Sequence, residues 1–523
     1  MSEPTRIGDP QPLTLPSIRP SVTRRSVLGG ALGGLLGTGL LSGCTTTPHR
    51  DGHGLGPTFG PPTPTSPAPG QRVVERTLTP QVATVDLGGP TVSTWVFGDT
   101  VPGPLIRATA GDFLRIRVDN QLPAPTTVHW HGIRLRNPAD GVPGLTQDPI
   151  GQNASYTYEF TVPDPGTYWF HPHVGVQLDR GLYGALVVDD PREPGGYDAE
   201  WVVVIDDWLD GLGRTPDDVL AGLIAGGHTM GGMGGHSMGG HTMGGPGGMG
   251  GMGMDEQGMP AEGMGGDVTY PHFLINGRVP AAPSTFTAKP GQRVRIRVLN
   301  AASDTIFALA LGGHRLTVTH SDGYAVVPHE IGALLIGMGE RYDLVVTLGD
   351  GIFPLVAKPY GKAGQALALV RTGSGSAPGA DALPAELDGP AMRARELVPA
   401  EASRLPAREA DVTLPYHMAG GMGSYTWTIN GAAYGENAPL LVSAGQRARL
   451  SITNQTMMAH PVHLHGHTFA VTGSGLRKDT LVVPPMGSTA IEFQADNPGR
   501  WMSHCHNTYH AEAGMMIELA YRT

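Results

Sequence analysis

Cysteine is almost missing from this chain: 523 residues hold two, Cys44 and Cys505. A disulfide framework is excluded, so Cys505 has to be explained by something other than cross-linking. Long hydrophobic runs are missing as well. The apolar stretch from Val27 to Leu41 is too short and too rich in glycine for a spanning helix, which takes about 20 apolar residues. No basic cluster occurs and the formal net charge is -11, which argues against nucleic acid as a partner. Apolar residues still make up 40% of the chain, enough for real cores, and the length exceeds one ordinary domain. Gly 78 and Pro 47, with short β-branched runs, favour an all-β, turn-rich protein over a helical one.

The first residues read as an address. Thr23-Arg24-Arg25-Ser26-Val27-Leu28 resembles a twin-arginine export signal. Leu41-Ser42-Gly43-Cys44 resembles a bacterial lipobox, in which the cysteine becomes a lipidated N-terminus. A cleaved signal with a chance cysteine is the alternative. On the lipobox reading residues 1–44 are a lipoprotein signal and the protein is exported to the cell envelope. Its membrane contact is then by lipid anchor only, and Cys505 is the one free thiol. Residues 45–70, rich in Pro, Thr and Gly, read as a flexible tether.

One unit occurs three times. Gly111-Asp-Phe-Leu-Arg-Ile-Arg-Val-Asp-Asn120 returns as Gly291-Gln-Arg-Val-Arg-Ile-Arg-Val-Leu-Asn300 and as Gly445-Gln-Arg-Ala-Arg-Leu-Ser-Ile-Thr-Asn454. Apolar and polar residues alternate in each copy, the mark of a strand buried on one face. Three β-sandwich domains are expected, at 71–190, 195–375 and 410–523, with 376–409 linking the last two. Residues 226–266 form an insertion in the second domain that holds nine of the 20 methionines, with His228, His236 and His241 among glycines. No core can form from that composition.

Counting from the turn glycines exposes a second pattern. His129 and His131 stand 18 and 20 residues after Gly111, and His463 and His465 stand 18 and 20 after Gly445. The same count from Gly291 meets Leu309 and Leu311. Pro165-Gly166 is followed by His171-Pro172-His173, and Pro498-Gly499 at the same offset by His504-Cys505-His506. Alternate residues of a strand point to one face, so each His-x-His projects two imidazoles together. If the first and third domains meet face to face, eight imidazoles converge. Nitrogen donors without carboxylates suit copper rather than calcium or magnesium, and zinc gains nothing from eight histidines plus a cysteine. The second domain, with no pairs, reads as a spacer.

The stretch from His504 to Met515 adds a thiol and a thioether. Cys505, the downstream His510 and the later Met515 are three of the four ligands of a blue-copper site, and His460, outside the alternation of His463 and His465, supplies the fourth. Cys505 lies between His504 and His506, so a covalent path of a few bonds joins the two metal centres.

These segments, His129-Trp-His131-Gly, His171-Pro-His173, His460-Pro-Val-His463-Leu-His465-Gly and His504-Cys-His506 through Met515, resemble the ligand signature of three-domain multicopper oxidases. The resemblance covers 71–523. It implies three cupredoxin-like Greek-key domains and four coppers. His129 and His463 would bind the type 2 copper. His131, His171 and His506 would hold one type 3 copper, and His173, His465 and His504 the other. Dioxygen is the acceptor and a small reducing substrate the donor. Asp140, nine residues past His131, matches an acidic residue of the family that delivers protons, and in Ala-Asp140-Gly it also suits a turn. Many bacterial members have a glutamate after the last type 1 histidine; here that position is Ala511 and Glu512 follows it.

The Met-rich insertion resembles those of bacterial copper-tolerance oxidases, which oxidise Cu(I) to Cu(II). Thioethers favour Cu(I), and Met230, Met233, Met238 and Met243 are candidate collectors. Met457 and Met458, just before His460, read equally as a final Cu(I) stop or as core packing. Related enzymes carry an acid two residues before the second of these, where this chain has Thr456. Oxidation of phenols or aromatic amines in the manner of a laccase, ferroxidase activity, and non-enzymatic copper sequestration are the alternatives.

Overall fold

The computed structural model describes residues 66–193, 195–226, 265–421 and 424–522. The signal with Cys44, most of the tether and Met230, Met233, Met238 and Met243 lie outside the described residues. The three repeats are strands, Phe113–Asp119, Arg293–Asn300 and Arg447–Asn454. Each follows a turn glycine at positive φ: Gly111 at 93°, Gly291 at 79° and Gly445 at 84°, a conformation that only glycine adopts freely. The alternating apolar positions face the core. Leu114, Ile116 and Val118, then Val294, Ile296 and Val298, then Ala448, Leu450 and Ile452 are all buried.

Each repeat strand has the same neighbours. On one side it pairs in parallel with the first strand of its set: Val73–Leu78, Ala199–Trp208 or Val412–Gly420. On the other it pairs antiparallel with Ser155–Thr161, Arg341–Thr347 or Ser488–Gln494. A second sheet in each set contains another parallel pair: Ile106–Thr109 with Gly184–Asp189, Ser284–Thr287 with Ala366–Arg371, and Leu440–Val442 with Met516–Tyr521. Parallel neighbours cannot be joined by a hairpin, so the chain crosses between layers. The result is all-β, three two-layer sandwiches of cupredoxin type.

The second copy departs from the alternation, because its polar face is buried too. Arg295 and Arg297 are 3% and 1% exposed. That face is covered by the first domain: Arg297 donates to Thr167 Oγ1 at 2.9 Å, and Thr167 donates to Asp343 Oδ1 at 2.6 Å. Asp343 Oδ2 accepts from Arg295 at 2.5 Å and from Arg297 at 3.1 Å. Charge that reads as a solvated strand face is here a paired, buried contact between domains.

The second sheets of the outer domains carry the histidines. His129–His131 runs antiparallel to Gly166–His171, with His129 opposite His171. His460–Leu464 runs antiparallel to Arg500–Cys505, with His463 opposite His504 and Val462 opposite Cys505. In the second domain the matching strand, Phe307–Leu311, fills its sandwich with fully buried Leu309 and Leu311. Residues 376–409 pack on the second domain through buried Met392 and Leu397 and a bridge from Val326 to Pro399.

Candidate metal centre

The two outer domains bring their histidine pairs together. Trp130 turns into the core, its ring 5.1 Å from that of Phe160, which sends His129 and His131 to the opposite face. There His131 stacks on His463 at 3.8 Å between ring centroids, and His129 stacks on His465 at 3.8 Å. Each stack takes one ring from each domain. Ring nitrogens of His131, His171 and His506 lie within 4.8 Å of one another, as do those of His173, His465 and His504, and those of His129, His131 and His463.

In most of these rings one nitrogen is tied to the protein and the other aimed at the cluster. His129 Nδ1 donates to the Asp140 carbonyl (2.8 Å), His463 Nδ1 to the Asp479 carbonyl (2.9 Å), His171 Nδ1 to the Pro172 carbonyl (2.8 Å) and His504 Nδ1 to the Cys505 carbonyl (2.8 Å). His465 Nδ1 meets Asp140 Oδ2 at 2.9 Å. His129 Nε2, His131 Nδ1, His171 Nε2, His463 Nε2 and both nitrogens of His506 are buried without a hydrogen-bond partner. Buried polar atoms are rarely left so, and ligating histidines typically hold their second nitrogen in this way. Burial, reinforced by neighbouring imidazoles, holds His131, His171, His173, His465, His504 and His506 well below the ordinary imidazole range. The rings are therefore neutral and ready to bind metal at neutral pH. A set of eight imidazoles fits copper.

A second group forms around the thiol. Cys505 Sγ lies 3.5 Å from His460 Nδ1 and 3.7 Å from His510 Nδ1, and those nitrogens are 3.1 Å apart. Asn507 caps the short helix Thr508–Glu512, accepting from Tyr509 N at 3.1 Å and His510 N at 3.2 Å. Beyond the helix the chain returns: Met515 N donates to the His510 carbonyl (2.9 Å) and Cys505 N to the Met515 carbonyl (3.0 Å). Met515 is fully buried beside them. His460 Nε2 is held by Thr456 Oγ1 at 2.7 Å and His510 Nε2 by Asp267 Oδ2 at 2.7 Å. Trp427 lies against the His510 ring, 4.0 Å between centroids. Two borderline nitrogens and a soft sulfur, with Met515 joined to Cys505 through the main chain, are the residue types of a blue-copper donor set.

Glu512 lines a cleft with His171, His173, His504, His506 and Thr508. Burial pushes its carboxyl up to about 7. Its displacement by one position from the family pattern has thus kept it beside the cluster. Met457 and Met458 are half-buried. Met486 N donates to the Thr456 carbonyl at 3.0 Å, and this third methionine is 61% exposed at φ 52°.

Sequence reasoning missed Asp479, Arg341 and Asp267. Asp479 Oδ1 lies 3.2 Å from His131 Nε2, and the Arg341 fork grips both its oxygens at 2.6 and 2.7 Å. Arg341 and Asp267 belong to the domain expected to be a spacer, which instead supports both centres. A low-complexity neighbour hides Asp267, and nothing in the spacing points to the other two.

Three family models described as multicopper oxidase match residues 79–193, 254–376 and 408–523, together more than half of the chain. Multicopper oxidase MmcO of Mycobacterium tuberculosis is 48% identical over 499 residues, covering 93% of this chain and 96% of that protein. Copper resistance protein A of Escherichia coli is 27% identical, covering 80% of this chain and 88% of its own length. Among solved structures, the laccase from Botrytis aclada matches with a TM-score of 0.70 and 26% identity over 86% of this chain and 88% of that one. The chain belongs to the multicopper oxidase family, enzymes with type 1, type 2 and type 3 copper that couple oxidation of a donor to reduction of dioxygen to water.

Proposed function

We propose that the donor is Cu(I), oxidised to Cu(II) as a means of copper detoxification. The observation that carries this reading is the 2.7 Å hydrogen bond between Thr456 Oγ1 and His460 Nε2. It ties the loop bearing Met457 and Met458 directly to a ligand of the candidate type 1 site. The turn bearing exposed Met486 is hydrogen-bonded to the same loop. Soft thioethers suit Cu(I) and leave Cu(II) free to depart. A phenol would need an exposed imidazole edge, whereas His460 and His510 are fully buried, with Asp267 against His510 Nε2. Similarity to copper resistance protein A of Escherichia coli supports the same reading.

His460, Cys505, His510 and Met515 would hold the type 1 copper. His129 and His463 would hold type 2, and His131, His171 and His506, with His173, His465 and His504, the type 3 pair. Bound there, copper supplies one-electron redox chemistry at the first site and multi-electron reduction of dioxygen at the second. The protein keeps the rings of His131, His171, His173, His465, His504 and His506 neutral, preorients them and excludes water. Asp140, hydrogen-bonded to His465, and Glu512, in the cleft beside the cluster, are the carboxyl groups placed to relay protons. The chain would be exported and anchored by lipid at Cys44, with boundaries at 71–190, 195–375 and 410–523. Met230, Met233, Met238 and Met243 would gather Cu(I).

Dioxygen uptake with Cu(I), Fe(II) and a phenol tests the donor, on the intact protein and on a variant lacking 228–264. Cu(I) should turn over fastest and the deletion should slow Cu(I) selectively. Phenol turnover equal to or faster than Cu(I) turnover, with no effect of the deletion, would sink the reading.

A further inference from the structure

The Arg341 side chain is fully buried and touches all three domains. Its Nε donates at 2.9 Å to the carbonyl of Thr167, in the strand that ends at His171. Nη1 donates to the Gly339 carbonyl at 3.2 Å. The fork takes Asp479 in a bidentate grip, at 2.6 and 2.7 Å, the geometry in which arginine and carboxylate bind most strongly. Burial works to raise the Asp479 carboxyl, but the guanidinium holds it well below the usual range.

Asp479 passes that position on. Its Oδ1 meets His131 Nε2 at 3.2 Å, and its carbonyl accepts from His463 Nδ1 at 2.9 Å. Thr480 Oγ1, 2.9 Å from Asp479 Oδ1, reaches the same two rings at 3.0 and 3.1 Å. Asp322, also of the second domain, accepts from Arg341 N at 2.9 Å, Asp479 N at 3.2 Å and Thr480 N at 3.1 Å. The surroundings leave no slack. A Cβ on Gly132, next to His131, would lie 2.4 Å from Arg341 Nη2 and 2.6 Å from Asp479 Oδ2.

We propose that Arg341 is a positioning residue for the trinuclear site, by which the second domain sets the stacked pair His131 and His463 in register across the two outer domains. Its side-chain hydrogen bonds go to Thr167, Gly339 and Asp479 rather than to either ring, so it acts through Asp479 and Thr480. This rests on the ligand assignment above, and its test separates the two.

Arg341→Met, Arg341→Lys and His463→Ala are prepared and loaded with copper. Copper per chain, the type 2 electron paramagnetic resonance signal and the blue absorption are recorded. Arg341→Met should keep the blue absorption and the donor KM. It should bind one copper fewer per chain than the parent, or show a displaced type 2 signal, with kcat down roughly ten- to a hundredfold. Lysine keeps the charge but not the fork, so Arg341→Lys should fold and show an intermediate signal. An unaltered type 2 signal and kcat in Arg341→Met overturns the proposal; should that variant not fold, the same result in Arg341→Lys does so. If His463→Ala also keeps the type 2 signal, the ligand assignment fails instead.

Discussion

Asp267 accepts a hydrogen bond from His510 Nε2 across 2.7 Å, although the two are 243 residues apart in the chain. The contact aims His510 Nδ1 at Cys505 and places a negative charge behind the ring. Removing that charge in Asp267→Asn should raise the reduction potential of the type 1 site, read by redox titration of the blue absorption. Asp267→Ala, which also frees the ring, should lower turnover roughly ten- to a hundredfold. An unchanged potential in both variants would rule out a role for this carboxylate.

Asp140 holds two rings by different atoms: its carbonyl takes His129 and its Oδ2 takes His465. The main-chain contact survives any substitution, and an amide oxygen can replace Oδ2 as acceptor. Asp140→Asn therefore keeps the geometry while losing the ability to carry a proton. Turnover should fall about a hundredfold with copper content and blue absorption intact. Normal turnover would mean that Asp140 only shapes the turn.

Gly339 has φ 82°, and a Cβ there would lie 2.8 Å from His506 Cδ2 and 3.1 Å from His131 Cε1. Gly339→Ala should cost roughly 1–2 kcal/mol for the left-handed backbone and displace His506, weakening the type 3 spectrum. Gly213→Ala is the control. Its φ is 95° and nothing lies within 4 Å of the added carbon, so it shares the backbone cost without the spectral change.

Asp343 is buried with Arg295 and Arg297, and Asp343→Ala leaves two guanidinium groups without their shared carboxylate. A loss of about 3–5 kcal/mol is expected, measured as a lower urea midpoint at pH 7. Burial works to raise this carboxyl, but Arg297 and Arg295 hold it well below the usual range. A depressed folded value stabilises fully above the unfolded pKa of about 3.9 and is lost as pH falls below it. The gap between parent and variant should therefore shrink as pH drops toward 3.

The candidate ligands are legible where they obey a local rule. His129 with His131, and His463 with His465, follow the two-residue period of a strand, and the duplication repeats each spacing. Cys505 was conspicuous because cysteine is otherwise so scarce. Asp479 and Arg341 obey no such rule. Asp479 meets His131 across 348 residues of chain and Arg341 across 138, contacts created only by domain packing. The burial of Arg295 and Arg297 was hidden for the same reason: alternation identifies a strand but not what covers its second face.

His173 belongs to the first domain and His504 to the last strands, 331 residues on, and their Nε2 atoms stand 3.4 Å apart. A metal ion held by both would act as a clasp between the first and third domains. By mass action it stabilises only the closed, fully assembled form. During synthesis no such clasp can form until His504 has emerged. A chain cut short before His504 would lose two of the eight cluster imidazoles together with the strand ending that pairs with His460–Leu464, while His129, His131 and His463 remained.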